Sequence, residues 1–400
     1  MKRTGYTDLP LHYGNVPKWL YERMSKLGRY IVEVIVSLYG RDEFLRRISD
    51  PLWFQSFGCV LGMDWHSSGI TTSVIGSLKA GLYPVAKELG VYICGGRGKY
   101  SRNTPDELLE ISYQTGLNGE DLIRASRLSA KIDNTAIQDG FQLYLHSFIL
   151  TSDGNWAVVQ QGMNLQMKKA RRYHWLSSNV KVFDEEPHTG VVGENQGLIL
   201  NLTATEARAT KNSILSLSRE LPEKVISEIK KISMPDRHYL KAQDIDLKRL
   251  GAVLATAYSS PVSDFCSFLL IPGVGPRTIQ SLVLVSEIIF GTPSRFSDPA
   301  RYSFAHGGKD GHPFPVPLEV YDQSISVLKN AIEKAKLDQN EKIDAFKRLY
   351  KIYRKVENSL NPVADFDRVI EKKKRKAVFL VGKQCDIFYN YQQYLRPLSP

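Results

Sequence analysis

Eight consecutive residues, Ile271 to Thr278, have the types and spacing that suit phosphate binding. Gly273 and Gly275 permit a turn with unusual backbone angles, and Pro276 suits the first position of a following helix. Backbone N–H groups at such a turn and helix start have no internal partner, and they converge with the positive end of the helix dipole. The motif therefore predicts a site for an anion such as a nucleic-acid phosphate.

Two short helices must position this turn, and together with it they predict a helix-hairpin-helix over residues 263–291. Ser263 is the predicted N-cap of the first helix. Val274 lies within the turn, and Arg277 and Thr278 add a charge and a hydroxyl in the first turn of the second helix. Such a site contacts the backbone rather than the bases, so we expect binding that does not depend on sequence. A glycine-rich connection without a ligand is the alternative.

The distribution of charge agrees with a polyanionic partner. The net charge is +11. Residues 201–400 contain 31 Lys and Arg against 22 Asp and Glu, whereas residues 1–200 contain 22 against 20. The excess therefore lies in the half that contains the hairpin, where a basic surface would attract nucleic acid. Lysine-rich helix faces that are merely solvated are the alternative.

The pattern of apolar residues predicts an α+β fold. A mixed N-terminal domain is expected over residues 1–204, with a β-hairpin and a small sheet, and an all-α domain over residues 205–400. The β-hairpin is predicted from strands at 141–150 and 156–161, which flank a turn at 152–155. The sequence also predicts a helix from Pro17, a polar loop at 94–99 and a capping box from Thr104 to Glu107. Further predicted strands lie at 180–183 and 198–202, and further predicted helices at 206–221, 222–260, 318–336, 341–355 and 365–376.

Composition excludes several classes of protein. Apolar residues make up 42% and charged residues 24% of the chain, which are ordinary globular values. The first 25 residues lack an uninterrupted apolar core, and no apolar run approaches the roughly 18–20 residues that span a bilayer. The four cysteines have no paired spacing, which argues against a zinc finger or a disulfide framework. We expect a cytoplasmic protein without a membrane partner.

Polar residues in the N-terminal half could supply phosphodiester chemistry. A metal-dependent nuclease needs carboxylates around a hard cation and a Lys or His nearby. Asp64, Asp133 and Asp139 are the candidate ligands for Mg²⁺ or Mn²⁺. The full set of candidate catalytic residues is Asp64, His66, Lys131, Asp133, Asp139 and Gln160.

Three other interpretations remain open. A metal-free phosphodiesterase would use histidine as acid and base, with His66, His146, His174 or His188 as candidates. A DNA glycosylase of the helix-hairpin-helix type would place its catalytic carboxylate at Asp298. A DNA-binding or scaffold protein without catalysis would have similar polar loops. No nucleotide cofactor is expected, because the glycine-rich residues 304–311 lack the Gly-Lys-Ser/Thr ending of a P-loop.

Further basic residues are candidate contacts to the nucleic-acid backbone. They are Arg97, Lys99, Arg171, Arg172 and Lys309. The expected partner is double- or single-stranded DNA, with RNA as a second possibility, and the sequence leaves the oligomeric state open.

Several segments resemble a prokaryotic family known as domain of unknown function 763. The resemblance lies in the N-terminal residues 1–12, in Trp156 to Asn164, in Arg171 to Trp175 and in Ser303 to Gly311. It covers nearly the whole chain. Because the family name carries no activity, the resemblance adds no chemistry to the residues themselves.

Overall fold

The computed structural model describes residues 9–10, 16–63, 68–231, 247–300, 318–335 and 337–359. The chain divides into two compact units, Met1–Lys355 and Val356–Pro400, and nearly all described residues belong to the first. One hydrophobic core contains residues from both sides of position 204, such as Trp175 and Leu282. The predicted domain boundary at that position stays a prediction.

Most of the chain between residues 18 and 131 is helical. Asp50 caps the helix Pro51–Val60 by accepting hydrogen bonds from the backbone N–H groups of Leu52 and Trp53, both at 2.9 Å. The predicted helix from Pro17 continues through Gly28 as a single element. The helices are α1 (Lys18–Tyr39), α2 (Arg41–Ile48), α3 (Pro51–Val60), α4 (Gly69–Leu82), α5 (Ala86–Leu89), α6 (Thr104–Thr115) and α7 (Gly119–Lys131), and a π-helical turn (Ile132–Ala136) follows α7.

Six of the described strands form one antiparallel sheet in the first unit. Its strands are β1 (Leu9–Pro10), β2 (Val91–Arg97), β4 (Gln142–Thr151), β5 (Trp156–Asn164), β6 (Lys169–Leu176) and β7 (His188–Val192), and their order is β1-β6-β5-β4-β2 with β7 also paired to β6. A second sheet contains β3 (Ile137–Gln138), β8 (Leu198–Asn201) and β9 (Phe296–Ser297). The predicted α+β class and the β4–β5 hairpin are confirmed.

Later helices complete the described chain. They are α8 (Arg208–Arg219), α9 (Pro222–Lys231), α10 (Leu247–Tyr258), α11 (Phe265–Leu270), α12 (Pro276–Phe290), α13 (Leu318–Lys334) and α14 (Gln339–Ser359). Strand β9 lies among them, so the half predicted to be all-α contains a two-residue strand. The predicted helix at 365–376 lies outside the described residues. In the described segments, no helix has the length and apolar character needed to cross a membrane.

Three local predictions were wrong. The polar loop expected at 94–99 is mostly strand β2, because it pairs with β4 from Val91 to Arg97. No strand forms at 180–183. Glu107 does not complete a capping box; its carboxylate instead accepts from the backbone N–H of Gly95 and from Lys79, both at 2.7 Å.

Helices cover both faces of the central sheet. On one face, Phe148, Val158 and Trp175 pack in a core with residues of α7, α8 and α12. On the other face, Arg172 of β6 contacts Gln55 of α3 and Thr71 of α4. Because neighbouring residues of a strand point to opposite faces, consecutive residues of β5 and β6 enter different environments.

Candidate functional site

The turn between α11 and α12 has the backbone conformation that its glycines permit. Gly273 has φ +88°, in the left-handed region that favours glycine. Gly275 is extended, with φ −148° and ψ −176°, and it precedes Pro276 at the start of α12. A Cβ atom built on Gly275 would have no heavy atom within 4 Å. The surface at Gly275 is therefore open to an approaching ligand.

Side chains on the inner side of the turn are closed to such a ligand. Val274 is 2% exposed and Thr278 is 5% exposed, and the Thr278 hydroxyl lies 3.4 Å from the Gly273 carbonyl oxygen. The first helix is capped by Asp264 rather than by the predicted Ser263, since the Asp264 carboxylate accepts from the Ser267 N–H at 2.7 Å. Backbone groups and Arg277, which is exposed, are thus the parts of the motif available to a phosphate.

Two residues of the preceding segment hold the turn in place. Lys131, at the end of α7, donates to the Val274 carbonyl oxygen at 2.5 Å. Gln138 donates to the Pro276 carbonyl oxygen at 2.8 Å. Burial lowers the pKa of Lys131. The residue that the sequence placed in a catalytic set therefore supports the hairpin.

Sequence reasoning missed two arginines beside the hairpin. Arg124 and Arg127 are exposed on α7, and we call them the α7 stripe. Burial raises the pKa of Asp264, but hydrogen bonds from Ser267 and Ser263 and the charge of Arg124 together bring it below its ordinary value. Arg124 therefore lies near the start of α11. In the described part of the chain, neither arginine forms an ion pair. The spacing of Arg124, Arg127 and Lys131 along one helix face was the available signal.

A buried network connects Asp133 to four strands of the main sheet. Asp133, in the π-helical turn, is 0% exposed. Its carboxylate accepts from Gln160 at 2.6 Å, from the Trp175 indole at 2.9 Å and pairs with His188 at 2.5 Å. Burial raises the pKa of Asp133, against the lowering effect of His188. Both carboxylate oxygens are engaged within the protein.

The network continues from Gln160 to His146 of β4 and Ser126 of α7. Burial lowers the pKa of His146 to about 4, so the ring is neutral near pH 7. Since the Gln160 carbonyl can only accept, His146 donates through Nδ1 at 2.8 Å, and Nε2 accepts from the Ser126 hydroxyl at 2.8 Å. A histidine that accepts from a serine hydroxyl, and is oriented by a third group, is also the arrangement that activates serine nucleophiles. Here Ser126 is 3% exposed, so the network acts as a clamp between α7 and the sheet.

A second network surrounds Arg171 on the same face. Its guanidinium donates to Asp139 at 2.9 Å and to both carboxylate oxygens of Asp298 at 2.8 and 3.0 Å. Tyr173 also donates to Asp139, at 2.6 Å. Burial alone would lower the pKa of Arg171, but the charges of Asp139 and Asp298 raise it. Asp139 and Asp298 are 3% and 5% exposed, so both act as internal counterions.

Arg172 points to the opposite face and has a different set of partners. It donates to His174 at 2.8 Å and to Gln55 at 3.0 Å, and it lies 4.6 Å from the centre of the Phe54 ring. Burial lowers its pKa to about 9. In the segments that the structure describes, no carboxylate contacts Arg172. The neighbouring Gln161 donates to the Ser68 carbonyl oxygen at 2.9 Å.

The structure brings together only part of the predicted site. Lys131 contacts the hairpin, and Asp133, two residues later, accepts from Gln160. Arg171 and Asp139 form a separate pair. Arg171 and Arg172 are 0% exposed, so in this structure neither presents its guanidinium to a surface phosphate, contrary to the expectation for both. Arg97 and Lys99 are exposed at the end of β2. Asp64, His66 and Lys309 lie outside the described residues.

The three predicted metal ligands do not form one group in the described residues either. Asp133 and Asp139 belong to separate networks, and Asp64 is outside the described segments. Among the residues that the structure describes, no group of three His, Cys, Asp or Glu side chains is arranged to hold a metal ion. The roles proposed for Mg²⁺ or Mn²⁺ stay predictions.

Comparison with known proteins identifies a family. Searches of curated proteins and of solved structures gave no significant match. One family model, described as "Protein of unknown function (DUF763)", matches residues 5–316. This match includes the central sheet, the two buried polar networks and the hairpin. The chain therefore belongs to the DUF763 family.

Proposed function

We propose that this protein binds the phosphate backbone of DNA through the turn at 271–278 and the neighbouring α7 stripe. The open surface at Gly275 carries the proposal, because it lies at the start of a 15-residue helix. Free N–H groups and the positive end of the helix dipole favour an anion at that position. Exposed Arg277 adds a positive charge next to them.

Arginines on α7 extend this surface beyond a single phosphate. Arg124 and Arg127 are one helical turn apart, and Lys131 joins the end of the same helix to the turn. Guanidinium groups suit phosphate oxygens because their N–H groups form paired hydrogen bonds. The net charge of +11 supports attraction at longer range. We place the protein in the cytoplasm as part of the same proposal.

Salt-dependent binding tests the proposal. The change is Arg→Gln at Arg124, Arg127 and Arg277, each measured by fluorescence anisotropy with two duplexes of unrelated sequence. Each substitution should reduce the slope of log K against log salt concentration by about one, because one phosphate contact releases about 0.9 counterion. Affinity for the two sequences should fall equally.

The matched control is Arg23→Gln. Arg23 is exposed on α1, in the helical layer on the other face of the sheet, and its replacement should leave the slope unchanged. A loss that depends on sequence, or an equal loss in the control, would contradict a backbone site at the hairpin. Arg97→Gln and Lys99→Gln in the same assay test the remaining exposed candidates, and competition with RNA tests the nucleic-acid class.

Phosphodiester cleavage is the second hypothesis. π-helical turns often occur at functional sites, and the turn containing Asp133 directly follows the lysine that holds the hairpin. Labelled single- and double-stranded DNA incubated with Mg²⁺ or Mn²⁺ is the test, with Asp64→Ala as the matched inactive variant. Binding without cleavage by the wild-type protein would favour the non-catalytic alternative.

A further inference from the structure

A cavity of about 410 Å³ lies next to the hairpin. It is bounded by α12, by β8, by the turn that joins β3 to β4, and by residues 294–295. Its volume falls in the range of small-ligand sites, about 300–1,000 Å³. Four amide side chains line it: Gln138, Asn164, Gln196 and Gln280.

Hydrogen bonds within the protein use only part of each amide, so some of these side chains retain an acceptor and another retains donors. Gln138 and Gln196 each use the amide nitrogen on a backbone carbonyl, of Pro276 and of Asp139, both at 2.8 Å. Asn164 instead uses its oxygen, which accepts from the Met167 N–H at 3.0 Å. The first two therefore retain acceptors, and Asn164 retains donors. In the described part of the chain, Gln280 has no hydrogen-bond partner.

One polar atom in the cavity wall lacks the partner that burial demands. Glu287 lines the cavity, and its Oε2 atom is buried without a hydrogen bond in the structure. A buried acceptor left unpaired costs about 1–3 kcal/mol. Such a group is unusual in a folded protein. Glu287 also gives the cavity wall a carboxylate, which favours a ligand that carries hydrogen-bond donors.

We propose that this cavity binds an unstacked nucleobase of the DNA strand whose backbone the hairpin binds. This inference rests on the proposed function. Amides recognise base edges because they offer a donor and an acceptor side by side. Val283, Leu284 and Ile199 supply apolar surface for the face of the ring.

The position of the cavity matches the connectivity of a nucleotide. Gln280 follows Pro276 by one turn of α12, a rise of about 5.4 Å, and Gln138 contacts both the hairpin and the cavity. A phosphate at the turn would thus lie one sugar away from a base in the cavity. Glu287 and Arg295 contribute opposite charges to its wall, so these two residues add no net charge to the cavity.

Three duplexes of equal length and charge test the inference by fluorescence anisotropy. One is fully paired, one contains a single unpaired adenine, and one has an abasic residue at that position. Wild-type protein should bind the duplex with the unpaired base about tenfold more tightly than the abasic duplex, since a pair of base contacts gives about 1–3 kcal/mol of discrimination.

Variants of the cavity should remove this preference and nothing else. Gln280→Leu keeps the size of the side chain and the helix but deletes the amide, so the two affinities should become equal while affinity for the paired duplex stays unchanged. Ser294→Trp, which fills the cavity, should have the same effect. Gln114→Leu, the same change on an exposed position of α6, is the matched control and should retain the preference.

Three outcomes overturn the inference in distinguishable ways. Equal affinity of the wild-type protein for the unpaired-base and abasic duplexes would exclude a base site while leaving the backbone site intact. Absence of binding to all three duplexes would overturn the proposed function together with the cavity. A preference that persists in both cavity variants would place base recognition elsewhere.

Discussion

Arginines occupy two opposite environments in this protein. Arg171 and Arg172 are neighbours on β6 with no exposed surface, whereas the α7 stripe and Arg277 face solvent. The buried pair forms hydrogen bonds with groups of the chain itself. The arginines of the α7 stripe and Arg277 form no ion pair with any described residue. Substitutions in the first group should therefore change stability, and those in the second should change binding.

The two buried arginines also differ from each other. Arg171 neutralises two buried carboxylates, while the described partners of Arg172 are uncharged. Removing one partner of a buried ion pair leaves an uncompensated charge, which costs far more than removing a neutral hydrogen bond. The position of an arginine inside the protein is thus a poor guide to its energetic role, and its partners decide that role.

Arg171→Leu should have the largest effect on stability. It leaves Asp139 and Asp298 buried without a cation, and we expect the free energy of unfolding in urea to fall by about 3–5 kcal/mol. Arg172→Leu is the matched control, because it makes the same change one residue later. It should cost about 1–2 kcal/mol, since only neutral partners lose a hydrogen bond. An equal or larger loss for Arg172→Leu would contradict the comparison.

Acid should weaken the clamp around His146. The pKa of this ring is about 4 in the folded protein because of burial, against about 6.5 in an unfolded chain. Between these values the unfolded state binds a proton that the folded state does not, so stability falls as the pH drops from about 6.5 to 4. The contribution over this interval is about 3 kcal/mol.

The His146→Gln variant isolates this contribution. Its free energy of unfolding, measured in urea across the same pH range, should fall less steeply than that of the wild-type protein. His174 and the carboxylates remain in both proteins, so their titration cancels in the difference. Parallel curves for the two proteins would show that His146 does not titrate as its burial requires.

Local patterns were sufficient to predict the two helices around the turn at 271–278 and part of the main sheet. Turn residues 152–155 and the flanking apolar runs predicted strands β4 and β5, which the structure contains. The glycines and Pro276 predicted two helices around a turn, although Asp264 replaces Ser263 as the cap. These features depend on neighbours in sequence, so the sequence alone specifies them.

Long-range partners explain what could not be predicted. Arg171 and Asp298 are 127 positions apart, and nothing in either segment indicates that they meet. Polar residues that appeared to line a cleft are instead buried against one another, as Asp133 and Gln160 are. Strand β2 was missed for the same reason, because three of its seven positions read Gly95-Gly96-Arg97 and only pairing with β4 makes them a strand.

The smallest expected effects on stability are those of alanine at two glycines of the hairpin, Gly273 and Gly275, which should have opposite signs. Gly273→Ala should destabilise the protein by about 1 kcal/mol, because φ is +88° there and a new Cβ would lie 3.1 Å from Val253. Gly275→Ala should raise stability by about 0.5 kcal/mol, since its extended backbone suits alanine and the unfolded chain loses entropy.

Binding should follow a different order from stability in these two variants. A methyl group at Gly275 occupies the open surface where a phosphate would approach, so the more stable variant should bind both DNA sequences more weakly. Urea unfolding and anisotropy on the same samples measure the two quantities. If Gly275→Ala binds as tightly as the wild-type protein, the ligand does not approach the backbone at this residue. In that case the exposed arginines alone would account for any affinity for DNA.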